Sequence, residues 1–470
     1  MATPTQRGFL TQTLDRLRNW RGNTVGPIGP VEVSPDLPDS EIPRLRQQID
    51  ACLAHKGGAV SARLRAAELG RAYLNLNATG RIQFFNVLAR HYDVDHDEVA
   101  KASAALSAAE GEDDRRRARR RLRTALVAPR VHLLTQFNSL DRGVKFLVDM
   151  RADLLEVLPE HSGLRALEED LQQLLRSWFD IGFLEMAQIT FNAPASLLEK
   201  LIEYEAVHEI KSWTDLKNRL DSDRRCFSFV HPNMPEEPLI FVEVALVSGM
   251  AGNVQSLLDE DAPRADPETA DTAIFYSISN CQKGLAGVGF GDFLIKRVVD
   301  RLSQRLPNLK HFATLSPMPG FRRWLDAELE EKTVMLTDGE QKALTALSGA
   351  DSGAEALRAI VDDPDWPSDD AKAEAARMPL MRAGARYLAV AKDDRGRPVD
   401  PVARFHLNNG ARIERINWMG NRSAAGMKAS AGLMVNYLYK LSEIEQNHEA
   451  YRGTGQVFVS AEVRKLAKET

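Results

Sequence analysis

At 470 residues, the chain exceeds the size of one typical core, and its 44% hydrophobic and 27% charged residues are those of a soluble globular protein, so two domains are expected. A net charge of −5 provides no whole-protein field that would favour nucleic acid. The three cysteines, Cys52, Cys226 and Cys281, are far apart and form no CxxC, which argues against a structural zinc site or a disulfide framework and suits a reducing compartment.

Residues 1–39 read as a flexible lead-in. The start, MATPTQRGFLTQTLDRLRNWRG, is basic and weakly amphipathic but lacks the apolar core of a signal peptide. Its composition admits a transit peptide, but a frayed leading helix is the favoured reading. No apolar run is long enough to span a membrane, and the ending Lys468-Glu469-Thr470 is no peroxisomal address, so cytoplasm is the expected location. From Ser40 to about Asn192 the apolar spacing is helical. Ala59–Leu74, the run from Ile82 to Arg90, Val144–Leu158 and Leu164–Trp178 are its clearest stretches. No strand is expected before residue 220, and residues 1–194 read as an all-α helical bundle. Within it, Arg115–Arg123 follows the acidic Glu110–Asp114. The run reads as an anion or nucleic-acid patch or, preferably, as a solvated helix face with i,i+4 pairs to the acidic residues upstream, because no aromatic residues interleave with the arginines.

Ser196–Glu209 reads as a helix leading into the second half, residues 195–470. CFSFVHP, from Cys226, and Pro238–Val247 read as strands joined by the proline-containing loop Pro232–Glu237. In Asp271–Leu302, a strand over Thr272–Ser279 is followed by a stretch containing Gly284, Gly287, Gly289 and Gly291. A helix carrying Phe293, Leu294, Val298, Val299 and Leu302 comes next. This order presents backbone N–H groups and a helix start to phosphates. It matches neither a dinucleotide fingerprint nor a Walker motif, so a tight turn is an equal reading. His311–Leu315 reads as a strand, Ser316–Gly320 as a turn and Phe321–Leu329 as a helix. Residues 336–375 read as a short helical insertion outside the core. Arg404–Leu407 and Ala411–Asn417 flank Asn408-Asn-Gly410, a hairpin signal, and Lys428–Leu441 is apolar enough to be buried. The mixture of strands and helices makes this half α+β.

Two residues compete as chemistry carriers. His406 reads as a hydrogen-bonded strand residue or as a catalyst; Ser316 reads as a turn serine or as an active hydroxyl. His91 and His96 are five apart, the wrong spacing for one metal-binding helix face, and His208 and His231 lack a ligand cluster, so no metal site is expected. No GxSxG elbow is present.

The segments FYSISNCQKGLAGVGFGDFLIKRVV, FATLSPMPGFRRWL and ARFHLNNGARIERINWMGNRSAAGMKASAGLMVNYLY resemble those of the malonyl-CoA decarboxylase family, as do FFNVLARHYDVD and FVHPNMPEEPLIFVEVAL. The resemblance implies an N-terminal helical domain that mediates oligomerisation, the family suggesting a tetramer. It also implies a C-terminal mixed-sheet domain with the acyl-CoA N-acetyltransferase (GNAT) fold. The implied activity is decarboxylation of malonyl-CoA to acetyl-CoA and CO₂. Coenzyme A would lie at Ala286, Gly287, Val288, Gly289, Phe290, Gly291 and Asp292, with Gln282–Leu285 leading in. The catalytic pair falls on Ser316, in Leu-Ser-Pro-x-Pro-Gly-Phe, and on His406, in Phe-His-Leu-x-Asn-Gly. No metal and no cofactor beyond the coenzyme A of the substrate are implied, nor a nucleic-acid or membrane partner. The endings of the chain suggest a bacterial-type, cytoplasmic member. The rivals are an N-acyltransferase on the same fold, and a non-catalytic protein that senses acyl-CoA or binds nucleic acid through Arg115–Arg123.

Overall fold

The computed structural model describes residues 31–54, 59–138, 140–179, 181–289, 294–331, 333–334 and 336–468. Most of the expected lead-in, and Phe290, Gly291 and Asp292, lie outside the described residues. The chain forms two compact units. One holds the described residues up to Glu185 with Val230–Pro238 and Gln282–Gly289; the other holds the remainder.

The first unit is built from helices, among them Ala59–Asn75, Ala78–His91, His96–Ser107, Glu112–Ala125, Pro129–Asn138, Gly143–Val157 and Arg165–Trp178. Local chemistry sets their starts. The Asn77 side chain accepts from the Gly80 N–H, and Asp95 accepts from the N–H groups of Asp97 and Glu98. The core is aromatic: Tyr73 meets Phe84 edge-on at 5.2 Å between ring centres and Phe146 at 5.7 Å, and Phe137 meets Phe146 at 5.2 Å. The arginine-rich helix Glu112–Ala125 buries none of its residues. Its pairs are Arg116 with Asp113, Arg117 with Asp114 and Arg121 with Glu98. The first two span three residues rather than four, and such exposed pairs contribute only about 0.2–0.5 kcal/mol each.

The second unit holds most of a helix-covered mixed sheet, so the chain is α+β. Strands β1 (Glu185–Ile189), β2 (Arg224–His231), β3 (Met234–Val247), β4 (Thr272–Asn280), β5 (His311–Thr314), β6 (Ser316–Pro317), β7 (Arg412–Asn417) and β8 (Met434–Leu438) lie in the order β1-β2-β3-β4-β5-β8-β6, with β7 also paired to β8. β4 and β5 are parallel, joined through the helix Leu294–Arg305; β3–β4, β5–β8, β6–β8 and β7–β8 are antiparallel. One core cluster gathers Ile274, Tyr276, Ala313, Leu315 and Met434 with Val254 and Leu257. Another gathers Cys226, Phe241 and Cys281 with Leu198, Leu201 and Leu216 of the helices Ala195–Tyr204 and Trp213–Arg219. Coverage of both faces explains why β3 and β4 read as nearly unbroken apolar runs.

Four expectations are corrected. A strand does precede residue 220: β1 is short and exposed at most positions, which leaves little apolar alternation to detect. The helix expected to Glu209 stops at Tyr204. The loop Pro232–Glu237 shrinks to a turn at Pro232 and Asn233, because β3 begins at Met234 and contains both Pro235 and Pro238. Residues 336–375 join the core. The helices Asp338–Ser348 and Gly353–Asp362 bury Leu344, Leu357 and Ile360, and Trp366 is buried after them. The first opens with a reciprocal cap between Thr337 and Glu340. The Arg358 guanidinium ties the second to the carbonyl of Asp326 at 2.7 Å.

Candidate active site

Ser316 lies on β6 opposite Val435 of β8, and its Oγ stands 3.1 Å from Nε2 of His406. His406 does not lie in a hairpin, as the Asn408-Asn-Gly410 signal suggested, but on the helix Pro401–Asn408. That helix is set by Asp400, whose side chain accepts from the Ala403 N–H at 2.7 Å, and by Pro401 in its first turn. Gly410, at φ +82°, follows its end. The hairpin signal was therefore a helix stop. Tyr387 donates to the other Asp400 oxygen at 3.0 Å. A Cβ on Gly320 would stand 2.5 Å from the Tyr387 hydroxyl, so the glycine of the Ser-Pro-x-Pro-Gly turn makes room for the tyrosine that anchors the histidine helix.

Strand period brings two tyrosines, one on β8 and one just past its end, to one side of the chain. Tyr437 stacks on the His406 ring at 4.5 Å, and the hydroxyl of Tyr439 stands 2.8 Å from His406 Nδ1. Ser316 Oγ donates to Thr314 Oγ1 at 2.8 Å, which also accepts the Tyr437 N–H at 3.2 Å. One hydrogen assignment satisfies the whole chain: Tyr439 O–H donates to Nδ1, Nε2–H donates to Ser316, and Ser316 donates to Thr314. His406 is 3% exposed, and burial pushes its pKa down to about 3, so the imidazole is neutral at pH 7. Asn436 braces the floor, donating to the carbonyls of Thr314 at 2.7 Å and Ala251 at 3.0 Å.

The glycine bend belongs to the first unit and is described there. Gly284 is packed so closely that a Cβ would meet the carbonyl of Val148 at 1.8 Å. Gly287 turns at φ +73°, a conformation that costs other residues about 1–2 kcal/mol. Buried Arg151 donates to the carbonyls of Gly284 at 2.6 Å and Ala286 at 2.8 Å while its other donors hold Glu168. Arg176 donates to the carbonyl of Gly287 at 2.9 Å. The N–H groups of Leu285, Ala286 and Val288 are spent within the turn. Those of Gly287 and Gly289 have no partner among the described residues, and Ala286, Gly287 and Gly289 are exposed.

A model of the malonyl-CoA decarboxylase C-terminal domain matches residues 182–470, and one of the N-terminal domain of the same enzymes matches residues 92–179. The chain belongs to the malonyl-CoA decarboxylase family. The mitochondrial malonyl-CoA decarboxylase of Anser anser anser is 39% identical over 426 residues, 87% of this chain and 84% of that protein. Crystal structures of malonyl-CoA decarboxylases from Agrobacterium vitis and Rhodopseudomonas palustris both superpose with a TM-score of 0.82. They are 40% and 39% identical, covering 91% and 90% of this chain and 100% and 99% of theirs.

As a malonyl-CoA decarboxylase family member the chain is an enzyme, a carboxy-lyase by class. Ser316 and His406, ninety residues apart in sequence, are brought into contact. Phe290, Gly291 and Asp292 of the expected coenzyme A loop lie outside the described residues. Sequence reasoning missed Thr314, Tyr439, Asp400 and the clamp residues Arg151 and Arg176. Only the Tyr-x-Tyr of Asn436-Tyr-Leu-Tyr439 carried a readable signal, two aromatic hydroxyls at strand spacing.

Proposed function

We propose that the chain decarboxylates malonyl-CoA to acetyl-CoA and CO₂ through Ser316 and His406. The observation that carries the proposal is the 3.1 Å contact between the two inside a buried, uncharged hydrogen-bond chain. Loss of CO₂ leaves the enolate of the acetyl thioester, and the barrier depends on how well that charge is stabilised. The Ser316 O–H turns from Thr314 to the malonyl carboxylate and holds it with its C–C bond out of the thioester plane. His406, with its proton on Nε2, protonates the enolate carbon, and one proton per turnover is replaced from water. General acid catalysis of this kind contributes roughly 10² to 10⁴-fold.

In this reading coenzyme A is held at the bend Ala286–Asp292, and backbone N–H groups stabilise the thioester oxygen, at about 3 kcal/mol per donor. The N–H groups of Gly287 and Gly289, which have no partner among the described residues, support placing coenzyme A at the bend. The enolate is delocalised into the thioester, so the reaction draws on no metal or cofactor besides coenzyme A. Residues 1–194 act as the oligomerisation domain of a cytoplasmic homo-oligomer, and residues 195–470 as a GNAT-like catalytic domain.

Incubation of purified protein with malonyl-CoA and no amine, followed by mass spectrometry, tests the proposal. Acetyl-CoA and CO₂ are expected, with Ser316→Ala and His406→Asn slowed at least a hundredfold. Near-normal release by His406→Asn would remove the histidine from the mechanism. Acyl transfer to an added amine without CO₂ release would favour the acyltransferase reading.

A further inference from the structure

A cleft of about 760 Å³ opens beside the helix that carries His406. Three elements line it: the turn before that helix, the helix itself and the C-terminal end of the helix Ile444–Thr454. Each contributes arginine, namely Arg395 and Arg397, Arg404, and Arg452, and no carboxylate lines it. The turn is built to present its arginines. Asp393 accepts the backbone N–H groups of Arg395 at 3.0 Å and Arg397 at 2.9 Å, and Gly396 turns the chain at φ +74°. Asp393 also pairs with the Arg397 guanidinium at 2.8 Å and lies 3.8 Å from that of Arg404. Arg395 and Arg452 make no ion pair among the described residues, and both are exposed.

Tyr451 also lines the cleft with Arg397, Arg404 and Arg452, so guanidinium groups and an aromatic ring converge there. Unneutralised guanidinium forks recognise phosphate oxygens, an aromatic face receives a base, and the volume suits a ligand of nucleotide size.

We propose that this cleft binds a nucleotide carrying two or more phosphate charges. The occupant touches the catalytic helix, because Arg404 sits two residues before His406 and the Phe405 ring meets the imidazole edge-on at 5.0 Å. Two sources share this chemistry: the bisphosphorylated adenosine of coenzyme A itself, or a free nucleotide.

The test compares the full-length chain with Arg395→Ala/Arg452→Ala and the charge-keeping Arg395→Lys/Arg452→Lys. Calorimetric titration with ADP and with adenosine 3′,5′-bisphosphate at low salt reads binding without relying on decarboxylation. Affinity for at least one nucleotide is expected to fall at least tenfold in the alanine variant, as the loss of charge-assisted bonds implies, and to recover in large part with lysine. Steady-state kinetics then separate the sources, and only this arm rests on the decarboxylase reading. A KM for malonyl-CoA raised about tenfold at constant kcat, with malonyl-pantetheine turnover unchanged, assigns the cleft to coenzyme A. An unchanged KM with lost ADP binding assigns it to a separate nucleotide. Equal affinities of the wild type and the alanine variant for both nucleotides, or no binding by the wild type at millimolar concentration, would overturn the proposal.

Discussion

Two buried polar clusters occupy the sheet unit, and they solve burial in opposite ways. Around Arg219, a guanidinium meets carboxylates and backbone carbonyls. Its guanidinium donates to Asp215 at 2.7 Å, to Glu243 at 3.3 Å and to the carbonyls of His208 and Glu209 at 2.8 and 3.0 Å. Glu205 next to it accepts from Ser277, Ser279 and the N–H groups of Val207 and His208. These bonds fasten the chain from residue 205 to residue 219 onto β3 and β4. Among the described residues the hydrogen-bond partners of His406 are uncharged, a line of hydroxyls whose protons can be passed along through the imidazole. Both clusters shift pKa values strongly: burial beside Glu205 drives Glu243 up to about 8, and burial takes His208 down to about 4 and His406 down to about 3. A shifted pKa therefore does not by itself mark a catalytic group. The difference is whether the proton is locked by a charge or shared along a neutral chain.

The comparison can be broken most directly by exchanging losses. Arg219→Met strands Asp215 and Glu243 without their partner and should cost roughly 3–5 kcal/mol of stability. Chemical denaturation reads this loss, while turnover per folded molecule should stay within about threefold of wild type if the cluster is structural. His406→Asn should do the reverse, losing the hundredfold or more in rate expected above while circular dichroism still reports a folded chain. A stable but inactive Arg219→Met would erase the distinction.

The pH dependence of stability sharpens it, because Glu243 and His406 pull in opposite directions. Glu243 is raised in the folded state, so its contribution is greatest below its ordinary value near 4.5 and is lost as pH rises through about 8. His406 is lowered, so its contribution is complete above 6.5 and is lost as pH falls towards 3. Glu243→Gln should remove a decline of up to roughly 1.4 kcal/mol per pH unit on the neutral side, and His406→Asn a similar rise on the acid side. Urea midpoints measured from pH 4 to 8 follow both. The smallest effect is expected from Tyr439→Phe, which removes the donor to Nδ1 and frees the imidazole tautomer. Loss of one such bond should lower kcat roughly tenfold with little change in KM, and an unaltered kcat would leave Tyr439 a packing residue only.

Much of this was legible in the chain, and where it failed the reasons are specific. The spans Ala59–Asn75, Gly143–Val157 and Phe321–Glu330 follow from apolar spacing alone, because an amphipathic helix writes its buried face into its own sequence. The strand around Thr272–Asn280 was equally plain. The helix under His406 was misread because Asn-Asn-Gly suits both a hairpin and a helix end. The deciding signal lay upstream, in the Asp400–Pro401 cap. Residues 336–375 looked peripheral because alanine-rich helices with charged ends carry little apolar weight, yet packing against each other lets them bury Leu344 and Leu357.

By itself, the sequence determined the identities of the candidate groups and the local shapes around them: a serine before a proline turn, a histidine ahead of a glycine stop, a glycine bend before a helix. These are short-range properties, set by backbone sterics and side-chain spacing. Only the tertiary structure decided that Ser316 and His406 touch, that Tyr439 sets the imidazole, and that Arg151 and Arg176 grip the carbonyls of the bend. Those contacts join residues from thirty to more than a hundred positions apart. The free energy that enforces them comes from burial of the whole core, which no local pattern encodes.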